Sequence, residues 1–492
     1  MSSNPKKTSP HPEWALKHKR PRTELRFLKG KYYLYEVSST YDREKKRAKK
    51  ISGPLLGSIT EERGFIPSDK GQLREKAKSG IDIKTISTKE YGFSFYIEHG
   101  LQDITLRLKE YFPENWKLII ALAYARFVHH SCIKNMSLHF HRSYLSELYA
   151  MEINEKQISQ FLRDLGRNRE KLSQYMRSFI KPGDFVLADM TNIFSKSTQI
   201  SFSKKGYNSD MVFEGQFNLL YIYSSNLSMP VFYRLNPGNV REVKAFKLCL
   251  EESGLKDVIV IFDKGFYSHA NIETIEKYNL RYLAPLKRNN PLIDYSLTEG
   301  GKIKTADNFF KFQDRIIWHN QQKIDEGKNL FVFQDDFLKQ KEERDYLGRI
   351  ESKLEGYNLE LYHQKKDRFG TIAMVTNDIT LTPQGAYQTY KSRMNIEVMF
   401  DGMKNVLDAD KTYMQNEEAL QGWMFINHIA LQWYYNLYML LKDKDILKRH
   451  SVNDMTIHLK EIRKVRINQN WIIEPITAST TKLLDKAGLH IT

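Results

Sequence analysis

The sequence has few cysteines, a shortage of acidic residues and no long hydrophobic segment. Its 492 residues include two cysteines, Cys132 and Cys249, each inside an apolar run, so we expect a reducing compartment and no disulfide framework. Residues 1–22 lack the apolar core of a secretory signal. The most apolar run, 424–441, is interrupted by polar side chains, which favours a buried helix over a membrane span. These absences predict a cytoplasmic protein without a membrane anchor.

The shortage of acids leaves a large positive charge. The chain has 76 Lys and Arg against 59 Asp and Glu, for a net charge of +17, and residues 1–60 alone carry 15 basic and 5 acidic side chains. Such an excess favours a polyanionic partner such as DNA. Hydrophobic residues make up 41% of the chain and aromatic residues 12%, which is typical of a globular protein and excludes an extended disordered one.

The N-terminal segment combines a tail with a small basic β region. Residues 1–22 are rich in Pro, Ser and Lys and are predicted to be a disordered tail. Residues 23–60 contain short β-like segments with a basic loop between them, and we expect the sheet to lie on a DNA backbone. An exposed basic hairpin with no fixed partner is an equal alternative. The candidate DNA contacts in the loop are Arg43, Lys45, Lys46 and Arg47.

Residues 90–180 show a helical pattern, and we predict a helical region for DNA binding or dimerisation. Its most apolar segment, 116–128, is expected at the centre of a helical bundle. The helices predicted at 155–165 and 168–180, with Gly166 between them, resemble a helix-turn-helix pair. A plain helical hairpin is the favoured interpretation.

A break at 181–184 starts a β pattern that predicts an α/β domain. Strands are expected at 185–188, 216–224, 229–235, 258–262 and 281–286, with helices ending near Ser253 and covering 268–278. Two of the buried strands are followed by a carboxylate, Asp189 and Asp263. Because ligands bind outside the carboxyl ends of strands in open α/β sheets, these two acids are candidate site residues. The alternative is that each Asp is an ordinary turn residue at a strand end.

Residues 290–369 depart from this alternation and look like a β-rich insertion. They contain a long hairpin at 309–333 and a charged helix near 339–354, and an apolar strand follows at 371–376. A helix is predicted over 381–406, and residues 411–492 are predicted to form a largely helical C-terminal region.

Four polar side chains recur along the predicted 381–406 helix. At about 100° per residue, Tyr390, Arg393, Glu397 and Lys404 share a stripe roughly 60° wide. A carboxylate flanked by two cations and a phenol can hold a divalent metal while its neighbours bind phosphates. The alternative is a solvated face with ion pairs between successive helical turns.

Asp189, Asp263 and Glu397 together form a set of oxygen ligands without a matching Cys or His set. Such sets suit hard ions such as Mg²⁺ or Mn²⁺. Two such ions about 3.5–4 Å apart serve in-line phosphoryl displacement.

The spacing of these residues resembles that of a known family. Tyr390-x2-Arg393-x3-Glu397-x6-Lys404 matches the Y-(2)-R-(3)-E-(6)-K signature of the insertion-sequence-four superfamily of bacterial DDE transposases. Asp189-Met190-Thr191 resembles its first acidic motif, D-x-T or D-x-S. Asp263-Lys264-Gly265-Phe266-Tyr267 resembles its second, D-x-G-[FY], and Pro237-Gly238-Asn239-x-x-Glu242 is similar to its P-G-N-x-x-[ED] turn. The likeness covers about residues 181–290 and 370–440.

The resemblance implies an RNase H-like catalytic core made of residues 181–289 and 370–410, interrupted by the insertion at 290–369. It implies that Asp189, Asp263 and Glu397 are catalytic metal ligands for two Mg²⁺ ions, with Mn²⁺ able to substitute. The implied activity is cut-and-paste transposition, in which one strand is hydrolysed at each element end. The freed 3′-OH then attacks the opposite strand to give a hairpin, the hairpin is reopened, and the 3′-OH finally joins target DNA.

The resemblance also implies DNA contacts and an assembly. The expected DNA is the terminal inverted repeats and the target, bound by a homodimer on paired ends in the bacterial cytoplasm at the nucleoid. The implied phosphate contacts are Tyr390, Arg393 and Lys404. Lys287 and Arg288 fall where relatives place a DNA-contacting basic residue, and a solvated pair is the equal alternative. Trp318 is a candidate for holding a flipped base as a Trp does in relatives, but a core Trp is the favoured interpretation. A nuclease that cuts without joining, or a catalytically inactive DNA-binding regulator, is an alternative.

Overall fold

The computed structural model describes residues 9–42, 46–68, 86–206, 213–240, 242–262, 267–325, 327–393, 402–403, 411–467 and 470–491. The chain divides into two compact units. One comprises Met1–Ser87 with Val465–Ile472, and the other comprises Thr88–Lys464 with Ile473–Thr492.

The first unit is built around a four-stranded antiparallel sheet in the order β1-β2-β3-β4. The strands are β1 (Thr23–Leu28), β2 (Lys31–Asp42), β3 (Arg47–Thr60) and β4 (Gly64–Pro67). A short helix, α1 (Glu13–Leu16), precedes them. The disordered tail predicted for residues 1–22 is therefore wrong at this helix, because Ala15 is completely buried in a small core with Leu25, Leu34 and Ile59.

The helical pattern of residues 90–180 is present in the second unit. Its first seven helices are α2 (Gly92–Gly100), α3 (Gln102–Tyr111), α4 (Trp116–His129), α5 (Ile133–Arg142), α6 (Leu145–Tyr149), α7 (Glu155–Arg167) and α8 (Arg169–Arg177). Residues 119–125 of α4 are completely buried, as expected for a helix at the centre of the bundle. Asn168 caps α8 by accepting a hydrogen bond from the Lys171 N–H, so α7 and α8 form a hairpin with almost no connecting loop.

The second unit contains one large mixed sheet, which confirms the mixed α/β class. Its path is β11-β12-β13-β14-β10-β9-β6-β7-β8, and β15 also pairs with β6. The central strands are β6 (Phe185–Ser195), β7 (Gln216–Ser224), β8 (Met229–Pro237), β9 (Ile259–Ile261) and β10 (Arg281–Leu286). The first three strands form an antiparallel meander, whereas β9 runs parallel to both β6 and β10.

The predicted insertion extends this same sheet. Its strands are β11 (Phe309–Phe312), β12 (Arg315–Asp325) and β13 (Lys328–Asp335), and β14 (Thr371–Thr376) pairs antiparallel with both β13 and β10. The predicted hairpin is present, but its first strand is split by a turn at Gln313 and Asp314, both of which have positive φ. The insertion and the central strands therefore share a continuous hydrogen-bonded ladder.

Helices and short strands complete the second unit. They are α9 (Glu242–Ser253), α10 (His269–Lys277), α11 (Asp336–Glu351), α12 (Leu359–Lys365), α13 (Pro383–Lys391), α14 (Glu417–Asp443), α15 (Val452–Glu461) and α16 (Ala478–Ala487). The short strand β15 (Lys411–Thr412) also belongs to this unit, whereas β5 (Ser87–Glu90), β16 (Arg463–Ile467) and β17 (Asn470–Ile473) each have residues in both units. Residues 411–492 thus contain short strands in addition to the predicted helices. Within the described ranges, no helix has the length and apolar content required to cross a bilayer.

Two glycines allow α7 and α14 to cross in backbone contact. A Cβ atom on Gly166 would lie 1.8 Å from the Glu418 carbonyl oxygen, and one on Gly422 would lie 2.1 Å from the Leu162 carbonyl oxygen. Neither position can accept a side chain without separating the helices. The apolar face of α7 is therefore used for packing against α14, in agreement with the favoured helical-hairpin interpretation.

Candidate active site

Asp189 lies in the middle of β6, between two pairings on one edge of the strand. On one edge, β6 pairs with β9 through Phe185–Leu187 and with β15 at Phe194 and Ser195. Along that edge, residues 188–193 separate the two pairings. The half-buried Asp189 is within this interval, and its Oδ1 accepts a hydrogen bond of 2.8 Å from the Met190 N–H.

The prediction that Asp189 ends a strand is wrong. The antiparallel ladder with β7 continues from Val186 to Phe194 and includes the pair Asp189 and Tyr221, so β6 runs six residues beyond Asp189. What ends near Asp189 is the parallel partner β9, whose last paired residue is Ile261 opposite Leu187. Asp189, which follows the apolar run 185–188, therefore lies near the end of the neighbouring strand β9, while β6 itself continues.

Asp189 and its cross-strand partner Tyr221 share one face of the sheet. Tyr221 is completely buried and its ring lies 5.8 Å from the His428 ring of α14, so this is the face that α14 covers. Gly402 also lies against α14, because a Cβ atom at that position would be 2.9 Å from the Tyr434 ring. Asp189 and Gly402 are thus placed on the same side of the sheet.

The other two predicted metal ligands, Asp263 and Glu397, lie outside the described residues, as does Lys404. Within the described residues, no group of three or more His, Cys, Asp or Glu side chains is arranged to hold a metal ion. The sequence position of Asp263 is nevertheless informative. It comes two residues after Ile261, and Asp189 comes two residues after Leu187, the partner of Ile261 across the parallel ladder.

Tyr390 and Arg393 lie at the end of α13, where the predicted continuous helix over 381–406 is wrong. The helix stops at Lys391, and Ser392 caps it, with its hydroxyl donating to the Thr389 carbonyl at 2.6 Å. Tyr390 is 7% exposed, and the Arg393 guanidinium carbon lies 6.0 Å from its ring centroid. Of the four residues in the predicted stripe, the structure describes only Tyr390 and Arg393, and Arg393 lies beyond the end of the helix.

The end of α13 lies beside the beginning of β6. The Ser392 hydroxyl is 3.3 Å from the Ser225 hydroxyl, and the Ser225 N–H donates to the Phe185 carbonyl at 2.9 Å. Lys411 pairs with Phe194, near the other end of β6. The segment from Arg393 to Lys411, of which the structure describes only residues 402–403 in between, therefore begins near one end of β6 and ends near the other.

The Pro237-Gly238-Asn239 turn has a structural explanation. A Cβ atom on Gly238 would lie 2.2 Å from the Gln216 carbonyl oxygen and 2.4 Å from that of Lys204, so only glycine fits this close backbone approach. The Asn218 amide donates to the Gly238 and Val240 carbonyls at 3.2 and 2.8 Å. The Glu242 side chain, the last residue of this motif, lies outside the described set.

A comparison with known protein families identifies the domain that contains Asp189. The chain matches the transposase DDE domain family over residues 181–433, which is more than half of its length. The chain belongs to this family of DDE transposases.

Solved structures of other transposases show a distant similarity. The transposase is similar to the piggyBac transposase in a synaptic complex with hairpin DNA, at 11% identity and a TM-score of 0.36, over 70% of this chain and 69% of that one. It is also similar to Mos1 transposase in a pre-cleavage transpososome, at 19% identity and a TM-score of 0.15, over 31% of this chain and 54% of that one. A Mos1 paired-end complex with the left transposon end gives 17% identity and a TM-score of 0.14, over 31% and 53% of the two chains. The transposase thus spans about half the length of the Mos1 chains, and no curated protein sequence matches it.

Three further residues were candidates for DNA contacts: Lys287 and Arg288, which follow β10, and Trp318, which is in β12. Lys287 is exposed, whereas the Arg288 guanidinium donates to the Thr371 carbonyl at 3.0 and 3.1 Å and forms a 2.9 Å ion pair with Glu342. Arg288 therefore ties β14 to α11. Trp318 is half-buried and donates its indole N–H to Asp336 at 3.1 Å.

The candidate contacts in the basic loop belong to the first unit of the transposase. Arg43 and Lys45 lie outside the described residues. Lys46 and Arg47 are exposed, and Arg47 pairs with Asp42 at the end of the β2–β3 hairpin.

Sequence reasoning missed a half-buried ion network that joins three elements of the transposase. Glu252 at the end of α9 contacts Arg169 of α8 at 2.5 Å, Ser173 at 2.9 Å and also Arg234 of β8. Burial alone would raise the pKa of Glu252, but the adjoining guanidinium groups of Arg169 and Arg234 lower it overall. The two arginines are 65 positions apart in sequence, and neither lies in a recognisable motif, so no sequence signal could have identified the network.

Proposed function

We propose that this transposase belongs to the insertion-sequence-four superfamily and catalyses metal-dependent cut-and-paste transposition. The observation that carries the proposal is the parallel register of β6 and β9. Since Leu187 pairs with Ile261 and each is followed two residues later by an aspartate, Asp189 and Asp263 are expected at the same level of two adjacent strands. The order β8-β7-β6-β9-β10, with β9 and β10 parallel to β6, supports an RNase H-like core around them.

The described ends of the segment that contains Glu397 support its role as the third acid. Ser392 lies beside the start of β6, and Lys411 pairs with Phe194 near its end. Asp189 lies between these two levels, on the face where Gly402 packs against α14. We propose that Glu397, which lies in the segment between these two ends, faces Asp189.

The residues present fit divalent cations. Asp189, Asp263 and Glu397 offer only carboxylate oxygens, and Asp189 is partly desolvated because it is half-buried in β6. Oxygen-only sets of this kind suit Mg²⁺, with Mn²⁺ able to substitute, and two ions are expected. Bound there, the ions would neutralise the phosphate and activate the attacking hydroxyl. The carboxylates fix where the scissile phosphate is placed, and the Met190 N–H holds Asp189 in orientation.

Arg393 and Lys404 are proposed to bind phosphates beside that site, with Tyr390 in support. The Arg393 side chain leaves the helix end next to the beginning of β6 and is half-buried against the Tyr390 ring. A guanidinium with restricted motion loses less conformational entropy when it binds two phosphate oxygens.

The function is tested on a duplex that carries one end of the element. We expect nicking with Mg²⁺ or Mn²⁺ and none with a chelator, followed by joining of the released 3′-OH to added target DNA. Cleavage without joining would favour the nuclease alternative, and binding without cleavage would favour the inactive regulator. Light scattering of the same DNA complex should give an assembly of two chains and two ends, and an assembly of one chain with one end would exclude the proposed homodimer.

Removal of either proposed phosphate contact should weaken end binding and cleavage together. Arg393→Ala and Lys404→Ala should lower DNA binding more strongly than removal of an ordinary surface charge would. Each lost phosphate contact should also reduce the slope of log Kobs against log salt by about 0.9. Arg393→Lys should remain impaired, because an ammonium lacks the planar fork. Tyr390→Phe should be milder, since a neutral hydrogen bond contributes about 1 kcal/mol. Electrophoretic mobility shifts over a salt series and nicking rates provide the measurement.

Lys391→Ala is the matched control for these variants. Lys391 is in the same helical turn, but its ammonium lies 5.2 Å from the Tyr387 ring centroid. It should leave the salt slope unchanged. Normal cleavage by Arg393→Ala and Lys404→Ala would reject the phosphate role and leave the three acids as the proposed site.

A further inference from the structure

A cavity of about 450 Å³ opens near the far end of β6. It lies where β15, which pairs with Phe194 and Ser195, approaches the end of α4 and the start of α5. Residues from four elements line it, including Arg126, Cys132, Lys134, Lys411, Tyr413 and Trp423. Phe194 is five residues from Asp189, or about 17 Å along an extended strand, so the cavity is separate from the proposed metal site.

The floor of the cavity is rigid and aromatic. Trp423 is 8% exposed and Arg126 is 4% exposed, and the Arg126 guanidinium carbon lies 5.0 Å from the Trp423 ring centroid. The Arg126 Nε donates to the Asn427 side chain at 2.8 Å. Because packing and this hydrogen bond fix both side chains, the floor is preorganised for a flat ligand.

The rim of the cavity combines an exposed aromatic ring with basic groups. Tyr413 is 69% exposed, and Lys134 and Lys411 are exposed beside it. Among the described residues that line the cavity there is no Asp or Glu. The lining therefore offers the Tyr413 ring for stacking and ammonium groups for an anion, with no described carboxylate to repel one.

We propose that this cavity binds a single unpaired nucleotide of a DNA strand. Base stacking on aromatic side chains next to basic groups is the usual chemistry of single-strand recognition. The volume is within the range of about 300–1,000 Å³ found for small-ligand pockets. A paired base cannot enter such a pocket without leaving the stack, so the site selects extrahelical nucleotides. The ligand is expected to be part of a DNA strand because the chain is proposed above to act on DNA.

Cys132 gives a direct measure of occupancy. It is exposed at the cavity, and the only other cysteine, Cys249, is completely buried. Burial also raises the pKa of the Cys249 thiol, which protects it from alkylation. N-ethylmaleimide modification of the full-length chain, followed by mass spectrometry, therefore reports on the cavity with Cys249 as an internal control.

The experiment compares a duplex with one bulged nucleotide, the same duplex fully paired, and a free deoxynucleoside monophosphate, all without divalent metal. Only the bulged duplex should slow Cys132 modification, by about tenfold at about ten times its Kd. Equal protection by both duplexes would indicate an ordinary DNA surface and overturn the proposal. Protection by the free mononucleotide alone would indicate a different ligand, and absence of protection by any of them would reject the site.

Tyr413→Ala should lower the preference for the bulged over the paired duplex by about tenfold, within the range measured for base–aromatic stacks. The side chain is largely exposed, so the variant should fold normally. Leu359→Ala, which removes a large apolar side chain that is 60% exposed in α12, is the control and should leave the preference unchanged. An unchanged preference in Tyr413→Ala would refute the stacking role.

The two proposals fail in different ways. Metal-dependent cleavage together with unprotected Cys132 would reject the nucleotide cavity and leave the proposed function intact. Protection of Cys132 by the bulged duplex without any cleavage would reject the catalytic proposal and retain the cavity.

Discussion

Asp189→Asn is expected to lower metal-dependent cleavage of an end-bearing duplex by more than about 100-fold, since changes even to groups behind a metal ligand cost 10- to 100-fold. The substitution preserves the shape of the side chain and the acceptor for the Met190 N–H, but it removes a negative charge from a site that has to balance two dications. Asp263→Asn and Glu397→Gln should behave in the same way. Nicking rates with Mg²⁺ and Mn²⁺, together with DNA binding and thermal melting, provide the measurement.

Asp184→Asn is the matched control for this prediction. Asp184 lies just before β6 and is 6% exposed, and its carboxylate accepts hydrogen bonds from the Asn226 amide and the Lys181 N–H at 2.8 and 2.9 Å. This variant should lose about 1–3 kcal/mol of stability and cleave normally while folded. Full activity of Asp189→Asn would remove Asp189 from the site.

Glu252→Ala is expected to lower the free energy of unfolding by about 1.5–3 kcal/mol, the usual contribution of hydrogen bonds to charged groups, because the ion network is half-buried. The substitution leaves Arg169 and Arg234 without the carboxylate that both of them contact. Because Arg169 begins α8 and Arg234 belongs to β8, the loss affects the junction between the helical region and the central sheet. Urea titration followed by circular dichroism measures the change.

The same network predicts an acid sensitivity. Since the folded-state pKa of Glu252 is lowered, its contribution is fully present above the unfolded pKa of about 4.3 and is lost as the pH falls through the folded value. The stability difference between the wild type and Glu252→Ala should therefore shrink below about pH 4. Glu170→Ala is the control, because its ion pair with Arg177 is largely exposed and should contribute about 0–1 kcal/mol. Equal losses in the two variants would contradict the prediction.

The sequence predicted the central strands well because each has a strong local signal. The apolar runs before Asp189 and Asp263 and the alternating segments around Ser225 correspond to β6, β9 and the β7–β8 hairpin. The predicted helix ends near Ser253 and at 268 are also found: Ser268 is the N-cap of α10, and Gly254 follows α9 with a positive φ.

Features that depend on distant partners were not predictable. An apolar run shows where a strand is buried, but the length of β6 is set by β7, which continues past Asp189. Hydrophobic periodicity around Tyr390 is compatible with a helix on both sides of Ser392, and it does not reveal that the Ser392 hydroxyl caps the helix. The continuity of the insertion with the central sheet likewise depends on β14 pairing with both β13 and β10.

The contact of Gly166 with Gly422 has a mechanical consequence. With the backbones of α7 and α14 touching, neither helix can slide or rotate past the other without a carbonyl colliding with the opposite chain. Segments that lie about 250 positions apart in sequence therefore move as one rigid body. Residues 90–180 consequently cannot be trimmed away as a separable module, because their removal would strip α14 of its packing partner and expose its buried face to water.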